Sequence, residues 1–256
     1  MIKFFRHIRQ SLINQNKMGK YFKYAIGEIL LVVIGILIAI QINAYYTHKD
    51  TIKITTNQLK NVALELEENI ILLNKTIEKS SDIVNSSRTI TNIIVEQTEV
   101  PSKQLSELLG SAFAPVLNYQ PNSEMLNEMI VSGALRNLKN KELKLMLLEF
   151  QAKLARIKNQ ELLHAEDQER CTEYLLKFGD FKAIMDDTNV SKDVLNLAES
   201  KVIKGNQALM NSKEFENRVI LFMASGIGLE NGMYQPFKTY LQMMLNTIET
   251  ELESND

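Results

Sequence analysis

Twelve consecutive residues, Ile29-Leu30-Leu31-Val32-Val33-Ile34-Gly35-Ile36-Leu37-Ile38-Ala39-Ile40, carry no polar side chain. Extended through Ala25-Ile26-Gly27 and Ile42-Asn43-Ala44, the block reaches about 20 residues. At about 1.5 Å per residue that crosses a hydrocarbon core of roughly 30 Å. Tyr21, Phe22 and Tyr24 flank one end, and Tyr45 and Tyr46 the other. Aromatic side chains favour both membrane interfaces. Residues 21–46 therefore read as a transmembrane helix. A core helix of a soluble protein rarely runs so far without a polar face. A cleaved signal peptide has a shorter apolar region and an A-x-A-like site after it, and no such site follows here. A retained anchor fits better than either.

Charge sets the expected direction. Lys3, Arg6, Arg9, Lys17, Lys20 and Lys23 precede the apolar block with no acid among them, whereas 23 basic and 30 acidic residues follow it. Basic residues beside a membrane segment stay in the cytoplasm. The expectation is a cytoplasmic N-terminus and an acidic domain on the far side, periplasmic in a bacterium. Within residues 1–20, Phe5, Ile8 and Leu12 share one face, with Ile2 and Ile13 beside them, and Lys3, Arg6, His7 and Gln10 lie opposite. That pattern predicts a short cationic amphipathic helix on the inner leaflet, where the six basic residues meet lipid headgroups.

Three stretches carry a resemblance: Ile2-Lys3-Phe4-Phe5-Arg6-His7-Ile8-Arg9, then Tyr24-Ala25-Ile26-Gly27-Glu28-Ile29, then Val32 through Asn43. The chain resembles the domain-of-unknown-function family 6090, single-pass membrane proteins of Gram-negative bacteria. Ser132-Gly133-Ala134-Leu135-Arg136-Asn137-Leu138-Lys139-Asn140-Lys141-Glu142-Leu143 is a second match. Many relatives carry Trp after the Asn that ends the anchor, where this chain has Ala44-Tyr45-Tyr46. The resemblance implies an inner-membrane anchor and a periplasmic helical domain. It implies no catalytic residue.

Residues 47–256 hold few helix breakers: the whole chain has four prolines and ten glycines, with 45% hydrophobic and 23% charged residues. Leu59, Ala63, Leu66, Ile70, Leu73, Ile77 and Val84, with Ser80 in the remaining slot, step by four and three, close to a 3.5-residue period. Nothing between Tyr21 and Glu99 breaks a helix strongly, so the anchor either continues outward or restarts after Thr47-His48-Lys49-Asp50. Pro101 ends the pattern. Ser102 is expected to cap a helix to about Phe113, and Ser123 one through Val131. A long helix follows Asn140, with Leu143, Leu147, Phe150, Leu154, Ile157, Glu161, His164, Gln168, Cys171, Leu175 and Phe178 on one stripe, ending at Gly179-Asp180. Further helices are expected over 191–204 and from Ser212 to about Leu252, the latter kinked near Asn231-Gly232 by Pro236. The apolar run 219–229 is too short to span a bilayer and reads as core. The predicted fold class is all-α: an amphipathic helix, one transmembrane helix and an antiparallel bundle of long helices.

Chemistry is sparse. Glu161-x-x-His164 has the spacing of one half of a di-metal helical site, but His7 and His48, the other histidines, have no Glu three residues before them. Polar partners or water along a half-wet seam account for Glu161, His164 and Gln168. Cys171 lies two turns from His164, too far for a thiolate–imidazole pair, and reads as a buried thiol. No phosphate loop, H-E-x-x-H, C-x-x-C or nucleophile elbow is present. Gly226-Ile227-Gly228 reads as close helix packing. The acidic balance argues against nucleic acid. Neither a catalytic residue nor a cofactor or metal is expected.

The anchor itself carries the functional signal. At about 100° per residue, Glu28, Gly35, Ala39 and Asn43 share one face. Gly35-x-x-x-Ala39 permits close helix approach, and Glu28 can pair with Lys20 or Lys23 of a neighbour. The leading expectation is a non-enzymatic scaffold that associates with itself or with another envelope protein. The alternative is a ligand-sensing bundle that signals through the anchor to a partner.

Overall fold

A computed structural model describes residues 18–201 and 205–253. Every regular element among them is helical, and none is a strand. Of the amphipathic segment expected over residues 1–20, residues 1–17 lie outside the described residues and 18–20 belong to the first helix.

Helix α1 runs from Met18 to Glu96, 79 residues. It is long and apolar enough to cross a membrane: its most apolar 18-residue window has a mean hydropathy of 2.6, and none of that window is buried. The chain divides into two units, and the division falls within α1, between Thr56 and Asn57. In the first unit the side chains from Ile29 to Asp50 are all exposed. α1 ends where Gln97 takes a left-handed conformation (φ 51°), ahead of Pro101.

The second unit begins with the rest of α1. Here every member of the series 59, 62, 66, 69, 73, 76, 80, 83, 87, 90 and 94 is buried. The steps alternate three and four, which keeps one stripe of a helix facing inward. Leu59, Leu66, Leu73 and Ser80 were legible as part of this stripe. Of the row expected beside them, Ala63 and Val84 are buried as well, Ile70 and Ile77 are only partly buried, and Val62-Asn69-Thr76-Ile83 lie fully inside. Thr76 and Ser87 satisfy their hydroxyls on the carbonyls of Leu72 and Ile83, one turn back, so they sit in an apolar seam at little cost.

Helix α2 spans Ser102–Phe113 and α3 Glu124–Val131. Ser102 is the first residue of α2 and Pro101 precedes it without a side-chain cap; Ser123 precedes α3 but does not cap it either. The acceptor for α3 is Glu65, whose carboxylate takes the backbone N–H of Met125 (2.8 Å) and Leu126 (3.2 Å). An anion held at a helix N-terminus is favoured by the orphan amides and the helix dipole. Gly133 (φ 76°) then turns the chain into a 3-10 turn, Ala134–Asn137.

Helix α4, Lys141–Phe178, is capped by Asn140, whose side chain accepts from the Leu143 N–H. Its stripe is buried at Leu143, Leu147, Phe150, Ile157, Glu161, His164, Gln168, Cys171 and Leu175, half-buried at Leu154 and exposed at Phe178. Asp180 caps α5, Phe181–Asp187. Of the helix expected over 191–204, the described part up to residue 201 holds only α6, Val190–Asp193; 202–204 lie outside the described residues. Asn196 takes a positive φ (52°), and 196–200 are irregular, because Lys182 and Asp186 bind the Ala198 carbonyl and the Ser200 N–H instead.

Ser212 caps α7, Lys213–Leu229, by accepting from Phe215 N–H. A π turn over Glu230–Tyr234 leads into α8, Gln235–Glu253. The π turn occupies the place of the expected kink. Pro236 has no N–H for the Gly232 carbonyl, and the Gln235 N–H reaches back five residues to Glu230. α4 packs against α7, α8 and the π turn. Phe113, Phe150, Phe215, Phe222, Tyr119 and Phe237 form ring contacts at 5.5–6.2 Å within one core.

Candidate functional site

The polar residues of the second unit converge on α4. The Glu161 carboxylate is 5% exposed and accepts from the Tyr119 backbone N–H (2.7 Å), the Tyr234 hydroxyl (2.8 Å) and the Lys158 ammonium (3.2 Å). Lys158 also donates to Asn118 (2.7 Å), and the Tyr119 hydroxyl donates to the Asn69 carbonyl (3.2 Å). Asn69 in turn accepts from Asn122 N–H and donates to its carbonyl. Burial, and then the Glu161 charge, push the Tyr119 and Tyr234 hydroxyls far above the ordinary phenol range. Both therefore stay protonated donors. With three donors on it, the carboxylate joins the 114–123 connection, α4 and the π turn, and Tyr119 carries the link on to Asn69 of α1.

One turn along, the His164 ring stacks on Phe222 at 4.5 Å. Its Nδ1 lies 2.9 Å from Ser225 Oγ, whose own proton points to the Phe222 carbonyl. Ser225 is thus the acceptor, and Nδ1 carries the imidazole proton. Nε2 is buried with no protein partner. Burial lowers the imidazole pKa to about 4, against a small opposite pull from Asp167. Gln168 donates to the carbonyls of Phe113 and Pro115. Cys171 is fully buried, and burial pushes its thiol up to about 12. Along the seam Glu161, His164 and Gln168 each meet a protein polar partner. Among the described residues no three His, Cys, Asp or Glu side chains come together as a metal-ligand set.

Of the residues singled out in the anchor, Gly35, Ala39 and Asn43 are exposed on α1 and Glu28 is half-exposed. A Cβ on Gly35 would meet nothing within 4 Å. Helical geometry from Met18 onward keeps the four on one face. Lys20 and Lys23 lie in α1, with Lys23 exposed; Lys3, Arg6, Arg9 and Lys17 lie outside the described residues. Glu65, Asn69, Tyr119 and Tyr234 were not singled out from the sequence. Asn69 falls in the buried series of α1 and Glu65 beside it, but neither lies on the stripe the apolar steps mark, and nothing local marks the two tyrosines.

Comparison with protein-family models, with curated proteins and with solved structures found no match.

Proposed function

We propose that this chain is a single-pass, membrane-anchored helical protein whose role is association, with itself or with another protein of the cell envelope, and not catalysis. The observation that carries the reading is the apolar segment of α1. Its strongest 18-residue window is wholly unburied among the described residues. Ten Ile, Leu and Val side chains lie between Ile29 and Ile40. At roughly −0.3 to −0.6 kcal/mol each, their insertion contributes about −3 to −6 kcal/mol. The basic residues before the segment favour a cytoplasmic N-terminus in a bacterial inner membrane, with the other unit a periplasmic antiparallel bundle, in keeping with the resemblance to family 6090. The Glu28-Gly35-Ala39-Asn43 face is where a second helix fits best, because small residues allow close approach and polar ones are costly against lipid.

Single cysteines placed along residues 27–44 in a Cys171→Ser background test the self-association. Crosslinks in native membranes should peak on the face of Gly35 and Ala39 and fall on the opposite one. A flat profile would overturn self-association through this segment.

A further inference from the structure

A cleft of about 150 Å³ opens between α4 and the π turn. An enclosed cavity of that volume takes a benzene-sized molecule. Its floor is apolar: Ile157 and Phe237 are buried core residues, and Met233 and Pro236 complete it. Its wall is cationic. Lys153 and Arg156, three residues apart on α4, both line it. Residues three apart on a helix are neighbours, so the two charges share one rim. Arg156 is exposed and makes no ion pair or hydrogen bond with another described residue. Lys153 lies over the Tyr240 ring (4.7 Å) and pairs with Glu149 only at 3.6 Å, in solvent. The Tyr240 ring is fixed in turn by its hydroxyl, which donates to the Met146 carbonyl, and by stacking on Phe237.

The cleft exists because of local backbone chemistry. The π turn widens the helix at this point, and Gly232 on its edge leaves open space where a Cβ would stand. π turns inside α-helices recur at binding sites. Two further grooves of this unit lack the combination. The one beside Ser81 and Glu230 is polar, and the one between α2 and α5 mixes Lys103 with Glu107 and Asp187. In a unit where acids outnumber bases, an Arg156 with no carboxylate on it, next to a Lys153 held only by the solvent-exposed Glu149 and beside an apolar floor, fits an anion with an apolar body.

We propose that this cleft binds a small organic carboxylate, with its apolar part on Ile157, Met233 and Phe237 and its carboxylate on Arg156 and Lys153. Arg presents two parallel N–H groups that match a carboxylate, and Lys adds a point charge.

The test uses the full chain in lipid nanodiscs, with phenylacetate as the probe and binding read by calorimetry and by saturation transfer from protein to ligand. Binding with a dissociation constant on the order of 1 mM is expected. Phenylacetamide, of the same shape but neutral, and inorganic phosphate, charged but without the ring, should each bind about tenfold more weakly. Arg156→Gln should weaken phenylacetate about tenfold and leave the helical content unchanged, because the side chain is exposed and unpaired. Gly232→Leu, which fills the cleft from its edge, should abolish saturation transfer. Absence of phenylacetate binding, equal binding of phenylacetamide, or binding indifferent to both substitutions would each overturn the proposal.

Discussion

Acid should destabilise the second unit through His164. Its imidazole has a folded pKa of about 4, against about 6.5 for an unhindered histidine. Protonation would place a charge in a site that is 2% exposed and would add an N–H at Nε2 with no acceptor. Above pH 6.5 both the folded and unfolded states are neutral here, and stability is unaffected. Between 6.5 and 4 only the unfolded chain takes the proton, so stability falls with falling pH by up to about 1.4 kcal/mol per unit. The loss approaches about 3 kcal/mol at pH 4, a large share of a typical domain's 5–15 kcal/mol. His164→Asn retains a donor for Ser225 and removes the titrating group. Urea unfolding of the full chain in detergent micelles, followed by far-UV circular dichroism from about pH 7 to about pH 4, gives both profiles. The wild type should start more stable and converge on the variant as pH falls. Parallel profiles would refute the account. Asp186 does not confuse the comparison. Its hydrogen bond from Lys182 comes first among the causes that hold its carboxyl below the usual 3.8, so its contribution is lost only at lower pH.

Two glycines two residues apart should respond oppositely. A Cβ at Gly226 would stand 3.1 Å from Val84 Cγ2 and 3.2 Å from His164 Cε1, both packed, so Gly226→Ala should cost about 1–2 kcal/mol despite the better helix former. Gly228 meets nothing within 4 Å, and Gly228→Ala should gain up to about 1 kcal/mol; the same sign for both in thermal melts would contradict the packing. Glu65→Ala strands the Met125 and Leu126 amides and should cost about 2–4 kcal/mol, with Glu65→Gln costing less because an acceptor oxygen remains. A loss for Glu65→Ala within the error of urea melts would show that α3 does not depend on this carboxylate.

Helices with strong periodicity were legible from the residues. The α4 stripe from Leu143 to Leu175 follows its apolar steps, and Ser212 and Asn140 cap as their chemistry requires. The π turn sits where Pro236 demands an interruption. Legibility failed where a local signal was outweighed by a distant partner. Ser102 and Ser123 have capping side chains, yet α3 is capped by a carboxylate sixty residues earlier. The residues 194–200 look helical in composition, but Lys182 and Asp186 take up their backbone groups. In α1 the apolar Ile70 and Ile77 mark the stripe better than Asn69 and Thr76, because polarity argues for the surface until the partners are known: Asn122 on the 114–123 connection for Asn69, the Leu72 carbonyl one turn back for Thr76. The cleft beside the π turn has no sequence signature, since its floor and its cations come from separate helices.

The buried polar residues of α1 also answer a question its apolar ones leave open. The stripe repeats every seven residues, so Leu59, Leu66 and Leu73 are interchangeable by shape. A slide of α1 by one repeat would set one leucine of the stripe in the place of the next. The same slide would put Leu72 or Gln58 under the amides that Glu65 now receives, and Thr76 or Val62 beside Asn122. The apolar side chains make α1 adhere; Glu65 and Asn69 number its turns, so that only one alignment leaves no amide stranded.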